Sequence, residues 1–339
     1  MKLLWASLAV GGSLLGAYGV SPLLKPPLPV RSQMAQSPKV LPPEAAPPKP
    51  EGQTDPVIAA AGDIACVPDK PAPQDGAELT CQMKATSDLV LDQGLAAVLP
   101  LGDLQYEHGE FEGFEKSYDP TWGRVKAISH PVVGNHEYYS KNAAGYYRYF
   151  GEAAGDPAKG YYSYDIGNWH VIALNSNCEA IGGCQAGSPQ EQWLQQDLAQ
   201  HPNACTLAYW HHPRFSSGIH GNNPDTDAFW QALHKAGAEI VLNGHDHHYE
   251  RFKPQTPAAQ FDTKGGIREF VIGTGGKNLR PILQAQTNSE VRNDSNYGVL
   301  KLTLKPYGYA WQFVPIAGQS FTDSGQDICH KPTRDNSSK

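Results

Sequence analysis

Ala96-Ala97-Val98-Leu99-Pro100-Leu101-Gly102-Asp103-Leu104-Gln105-Tyr106 runs an apolar segment of strand length into Gly-Asp. That pattern puts a carboxylate at the carboxyl end of a buried strand, where open α/β sheets keep their ligand sites. The same grammar recurs along the chain. Val57 to Gly62 leads to Asp63, Ile128 to Gly134 leads to Asn135-His136, Cys205 to Trp210 leads to His211-His212, and Glu239 to Gly244 leads to His245-Asp246-His247. Separate local reasons for polar residues at every one of these strand ends are harder to supply than one shared reason. A metal site is such a reason, because its oxygen and nitrogen ligands must converge.

Composition sets the frame. The 339 residues, 40% of them hydrophobic, can bury a sizeable core. A net charge of −7 leaves no basic footprint, so nucleic acid is not expected as a partner, and an anionic ligand would be attracted locally, through metal. Thirteen histidines fit that reading. Met1-Lys2 and the uncharged run Leu3 to Leu24 read as a secretory signal over residues 1–20, with Ala17-Tyr18-Gly19 as the cleavage site. The alternative is an uncleaved membrane anchor, for which about 20 apolar residues suffice. Either way the chain is expected to be exported, to a periplasm, the extracellular space or a cell surface.

Residues 21–54 are rich in proline, with Pro42-Pro43 and Pro47-Pro48, and hold few large apolar side chains. Such a stretch reads as a disordered tether. One folded domain is expected over 55–330, followed by a disordered tail over 331–339. Six cysteines in an exported chain suit disulfides, with the connectivity open. Cys66 and Cys81 bracket one loop, Cys178 and Cys184 bracket a Gly-rich one, and Cys205 and Cys329 remain; free core thiols are the alternative. No pair has the two-residue spacing of a zinc finger.

Within the domain, Gly76 to Gly94 has the pattern of an amphipathic helix stopped by glycine. Phe111 to Trp122 reads as partly helical, and the tyrosines and glycines between Lys141 and Tyr164 read as a surface loop with aromatic packing. Trp169 to Asn175 reads as a buried strand. Ser188-Pro189-Gln190-Glu191 marks a helix start, with the helix running to about Gln200, and a second such helix ends at Gly237. Arg268 to Ile272 is a strand entering Gly273-Thr274-Gly275-Gly276, a structural turn that lacks the Lys-Ser/Thr of a phosphate loop. Leu300, Leu302 and Leu304, then Tyr309, Trp311 and Phe313, alternate with other residues as the two arms of a hairpin.

The set Gly62-Asp63, Gly102-Asp103-x-x-Tyr106, Gly134-Asn135-His136-Glu137, His211-His212-Pro213 and Gly244-His245-x-His247-x-Tyr249-Glu250-Arg251 resembles the calcineurin-like metallophosphoesterases, and most of all their purple acid phosphatase branch. The resemblance implies a four-layer α/β/β/α sandwich. It also implies that one metal takes Asp63, Asp103, Tyr106 and His247 and the other takes Asp103, Asn135, His211 and His245, with Asp103 bridging. Hard oxygens plus a phenolate suit Fe(III), and the second set suits a divalent zinc, manganese or iron. Two such ions about 3.5–4 Å apart can activate a shared water and clamp a phosphate during in-line attack. The general pattern has a His two residues after the first Asp; here Ala65 stands there and Tyr106 makes up the place, which points to the purple branch. His245-Asp246-His247-His248 is also similar to the metallo-β-lactamase signature, but Tyr249 occupies the position where that motif needs Asp.

His136, directly after Asn135, is the expected general acid, with an orienting histidine as the bland alternative. His212 and His220 are expected to line the phosphate pocket, and Glu250 and Arg251 to brace the metal loop. The expected activity is hydrolysis of phosphomonoesters by metal-bound hydroxide. A phosphodiesterase on the same centre, or a non-catalytic metal or phosphate binder at the cell surface, are the competing readings.

Overall fold

The computed structural model describes residues 54–67, 81–202 and 205–330. The signal or anchor expected over 1–20, the tether expected over 21–54 except its last residue, the tail expected over 331–339 and the start of the helix expected from Gly76 lie outside the described residues. Twelve strands are described: β1 (Val57–Ala61), β2 (Ala97–Pro100), β3 (Tyr162–Ile166), β4 (Trp169–Ala173), β5 (Cys205–Tyr209), β6 (Ile240–Asn243), β7 (Tyr249–Phe252), β8 (Arg268–Ile272), β9 (Ser289–Asn293), β10 (Gly298–Lys305), β11 (Gly308–Pro315) and β12 (Ser324–Ile328). They form two mixed sheets, in the orders β12-β11-β10-β1-β2 and β3-β4-β5-β6-β8-β7-β9.

Period-2 alternation decides what each sheet buries. In β5, Leu207 and Tyr209 join the core between the sheets, whereas Ala208 and the following Trp210 face the helical layer. In β6 and β8, Ile240, Leu242, Phe270 and Ile272 point inward between the sheets, and Val241 and Val271 point to the helices. The expected hairpin supplies the opposing wall. Leu300 pairs with Phe313, Leu302 with Trp311 and Leu304 with Tyr309, all six on the buried face. Helices Pro189–Gln200 and Asp227–Ala236 cover the larger sheet with Leu194, Leu198, Phe229, Trp230 and Leu233. Ser188 caps the first by accepting from Glu191 N, and Gly237 ends the second in a left-handed conformation. This is the four-layer α/β/β/α sandwich that the resemblance implies.

Three expectations need correction. Ile128 to Gly134 lies beside β2 but is not a continuous strand; only the bridges Val98–Ser129 and Leu101–Val132 form. Pro131 lies between them without an N–H to extend the ladder. The stretch between Lys141 and Tyr164 is not a surface loop throughout: it holds helix Ala144–Phe150 and β3, and Tyr146, Tyr147, Tyr149 and Phe150 are buried. Tyr149 stacks on Phe114 at 5.0 Å, so its aromatics serve the core. The helix expected to run to Gly94 is described only over Met83–Asp88. Thr86 and Ser87 turn their hydroxyls back onto the carbonyls of Gln82 and Lys84, a competition that shortens helices.

Three disulfides join Cys66 to Cys81, Cys178 to Cys184 and Cys205 to Cys329. The last ties the chain end to the central strand β5 across 124 residues, whereas Cys178–Cys184 spans six. If loop closure in the unfolded chain sets their worth, removing Cys205–Cys329 by paired Ser substitutions costs the most, within a range of about 2–5 kcal/mol, and removing Cys178–Cys184 the least. Denaturant midpoints of the two paired variants check this; equal losses would count against it.

Candidate functional site

The expected ligands gather at one end of the sandwich because the loops after β1, β2, β5 and β6 meet there. Asp63, Asp103 and His245 each have positive φ, 60°, 50° and 70°, a conformation that costs a non-glycine residue free energy and bends the chain sharply as it leaves a strand. The glycines before the ligands allow the loops to touch. A Cβ on Gly134 would lie 2.2 Å from Asp103 Oδ1, and one on Gly102, itself at φ +84°, would lie 2.6 Å from His211 Nδ1. Asn135 arrives differently, at the start of the short helix Asn135–Tyr138.

Two groups of donors share one atom. Around Tyr106 Oη lie Asp63 Oδ1 at 2.8 Å, His247 Nε2 at 3.0 Å and Asp103 Oδ2 at 3.1 Å. Around His211 Nε2 lie Asn135 Oδ1 at 3.2 Å, His245 Nδ1 at 3.2 Å and the same Asp103 Oδ2 at 3.3 Å. Two of the rings are aimed from behind. His211 Nδ1 donates to Leu101 O at 2.8 Å and His247 Nδ1 to Asn278 O at 2.7 Å, which fixes each ring with Nε2 facing inward, the nitrogen that would meet a metal.

The result is a cluster of electron-pair donors with few protons to share. Burial, then the nearby Asp103 and Asp63 carboxylates, push the Tyr106 phenol well above its ordinary value. Burial opposes ionisation of Asp103, but His211, His136 and His245 outweigh it and hold that carboxyl low. His211 feels the converse: burial lowers it, yet Asp103 raises it to about 9. Burial and neighbouring imidazoles keep His245 neutral, the form in which imidazole binds metal. Around His211 Nε2 a carboxylate oxygen, an amide oxygen and an imidazole nitrogen converge at 3.2–3.3 Å; without a metal the Asp103 carboxylate keeps a proton on His211 in that space, and a cation would take the proton's place. The donor set therefore fits two metal ions sharing Asp103.

His136 stands beside this cluster. Its ring lies 4.3 Å from that of Tyr106, its Nδ1 donates to Glu107 O at 2.6 Å, and its Nε2 is 3.8 Å from Asp103 Oδ2. His212 packs 4.4 Å from the His245 ring. Ser176 Oγ accepts from His212 N and lies 2.8 Å from His212 Nδ1; in the tautomer whose Nδ1 takes the serine proton, Nε2–H is left as a donor. Burial first, then His211, bring His212 down to about 3. His220 stacks 4.2 Å from His245, with Nδ1 donating to Asp246 and Nε2 accepting from Arg280 at 3.3 Å. Glu250 holds the His211–His220 loop by accepting from Ser217 N at 2.8 Å, whereas Arg251 binds Asp323, on the segment leading into β12.

Several supporting residues carried no expectation. Glu137 accepts from the amides of Gly134, Asp103, Leu104 and Gln105 at 2.8–3.2 Å and so fixes the loop that carries Asp103. Lys277 pairs with Glu107 and lies 4.4 Å over the Tyr106 ring, and Arg280 brings a cation to the mouth. The glycine run works as a turn beneath the site: Gly275 N donates to Gly62 O and Lys277 N to Asp63 O. Glu137→Ala strands four buried amides, each costing about 1–3 kcal/mol if left unpaired. The variant is expected to lower the melting temperature and the number of metal ions retained after dialysis; unchanged values of both would refute this role.

A family model described as calcineurin-like phosphoesterase matches residues 57–249. Purple acid phosphatase 15 of Arabidopsis thaliana is 30% identical over 183 residues, which cover 48% of this chain and 33% of that protein. The probable purple acid phosphatase 20 of the same plant is 28% identical over 205 residues, covering 53% of this chain and 44% of that protein. The chain thus spans less than half the length of these curated relatives. A purple acid phosphatase from yellow lupin (Lupinus luteus) seeds superposes with a TM-score of 0.65 at 18% identity, over 82% of this chain and 55% of that one, which shows a common fold.

Proposed function

The chain belongs to the calcineurin-like phosphoesterase family, and on that premise we propose that it is an exported, metal-dependent phosphatase of the purple acid phosphatase type acting on phosphate monoesters. The observation that carries the reading is the pair of donor groups meeting at Asp103 Oδ2. Asp63, Asp103, Tyr106 and His247 would hold Fe(III), and Asp103, Asn135, His211 and His245 a divalent zinc, manganese or iron. Two cations there would supply an activated water and neutralise the phosphoryl oxygens.

The chain's own residues do the rest. Glu107 O fixes the His136 ring so that Nε2 faces the reacting centre, from which it would hand a proton to the departing oxygen. His212 Nε2–H and the Arg280 guanidinium, which His220 Nε2 steadies as an acceptor, would bind the phosphoryl oxygens. The loops that carry these donors are held by hydrogen bonds from Glu137 and to Leu101 O and Asn278 O, which suits a preorganised electrostatic site. Three disulfides support export.

The test is metal analysis of protein purified without added metal, with hydrolysis of a monoester and a bis-ester compared at the same loading. About one iron per chain together with monoester turnover supports the reading. Zinc or manganese alone with faster bis-ester cleavage would replace it with a phosphodiesterase, and full loading without turnover of either would leave a binder.

A further inference from the structure

Tyr139 is a large aromatic side chain whose position burial does not explain. It caps helix Asn135–Tyr138 and is 60% exposed. Its ring meets His136 edge to face at 4.8 Å and the exposed His108 at 5.9 Å, and its hydroxyl lies 3.5 Å from Asn135 Nδ2. Ser140 Oγ donates to His108 O at 2.5 Å, which ties the two ring-bearing segments together. One solvent-facing ring thus borders both a proposed metal ligand and the proposed general acid.

A general acid must lie next to the leaving oxygen. Whatever is bonded to that oxygen therefore extends past His136, and the surface it meets there is Tyr139 with His108. The metal ligands and the phosphate-binding donors are blind to the leaving group, so discrimination falls to this rim. We propose that Tyr139, with His108, is a stacking platform selecting phosphate monoesters whose leaving group carries a planar aromatic ring; the inference rests on the phosphatase reading above. A flat π-face accepts rings of many kinds, so the preference is for a class and not for one compound.

Adenosine 5′-monophosphate and ribose 5-phosphate release the same primary alkoxide and differ in the planar base, so leaving-group reactivity cancels between them. Wild-type protein is expected to show the higher kcat/KM on the nucleotide. Tyr139→Ala should lower the nucleotide value about five- to tenfold more than the ribose 5-phosphate value, mainly through KM, and Tyr139→Phe should retain the preference. Adenosine should compete with ribose 5-phosphate in the wild type, and that competition should weaken in Tyr139→Ala. Equal losses on the two substrates would show that Tyr139 only supports Asn135 and His136 and would overturn the platform, as would no loss on either. If the metal-loaded wild type turns over neither ester, the phosphatase reading itself fails and takes this inference with it.

Discussion

His136→Ala is expected to keep both cations and lose a factor of roughly 10²–10⁴ in hydrolysis of esters with poor leaving groups, the range general-acid catalysis supplies. The loss should shrink as the leaving group improves, because an oxygen that departs readily as an anion does not need the proton. The substitution is clean at the backbone: His136 N donates to Asp103 Oδ1 at 2.9 Å, a bond that alanine preserves. What disappears is the ring between Tyr106 and Tyr139 and its bond to Glu107 O. Asn135→Ala should fail in another way, by lowering occupancy of the divalent ion, since its Oδ1 belongs to the His211 group of donors. Measuring kcat across a series of leaving groups alongside metal content separates the neighbours. A His136→Ala loss that is the same for activated and unactivated esters would reject the acid.

The parts of this protein legible in its sequence are those written by local periodicity. Apolar runs ending in Gly-Asp, Gly-Asn or Gly-His announced β1, β2 and β6 and the converging donors, and alternation in Leu300, Leu302 and Leu304 announced the hairpin wall. The glycines in those runs have a physical reason that only the fold shows: the Gly102 and Gly134 backbones sit against His211 and Asp103. Tyr146 to Phe150 misled because glycine beside tyrosine resembles a loop, whereas Gly145 packs its backbone against Gly109 and the tyrosines pack inward. Residues that act across long separations left no local mark. Glu137 ends the Gly134-Asn135-His136-Glu137 motif, but only the fold brings the amides of Asp103, Leu104 and Gln105 to it. Lys277 and Arg280 follow a glycine turn and reach the site from the far side of β8.

The departure at Ala65 also has a structural account. Ala65 is fully buried, its N–H donates to Leu104 O, and its own carbonyl accepts from Tyr106 N at 2.8 Å. The position thus serves as the backbone ladder that holds the Tyr106 segment. The side chain that a histidine would bring to the centre from position 65 comes from position 106, and the electrostatic character of the site changes from imidazole to phenol. On the proposed metal assignment that exchange would bear on the choice of cation, because a phenol must lose a proton to bind well and an imidazole need not.

Tyr106→Phe is therefore expected to abolish the visible absorption of the iron-loaded protein while retaining most of the iron. In the metal-free protein the phenol is held neutral, first by burial and then by Asp103 and Asp63, so no phenolate band should be present near neutral pH. Only a strongly Lewis-acidic cation such as Fe(III) can displace that proton, and phenolate bound to ferric iron absorbs visible light by charge transfer. Phenylalanine keeps the ring that packs 4.3 Å from His136 and under Lys277, so the change is confined to one oxygen. Asp63, Asp103 and His247 still offer three donors, which is why iron should stay. Without metal the variant also loses the one proton that Tyr106 shares among those acceptors, and its stability should fall by about 1–3 kcal/mol, a difference that metal loading should narrow. Iron content by elemental analysis, the visible spectrum and denaturant midpoints with and without metal measure all three effects. A band that survives unchanged in Tyr106→Phe would sink the ligand assignment, and with it the case for Fe(III) at this site over a zinc or manganese pair.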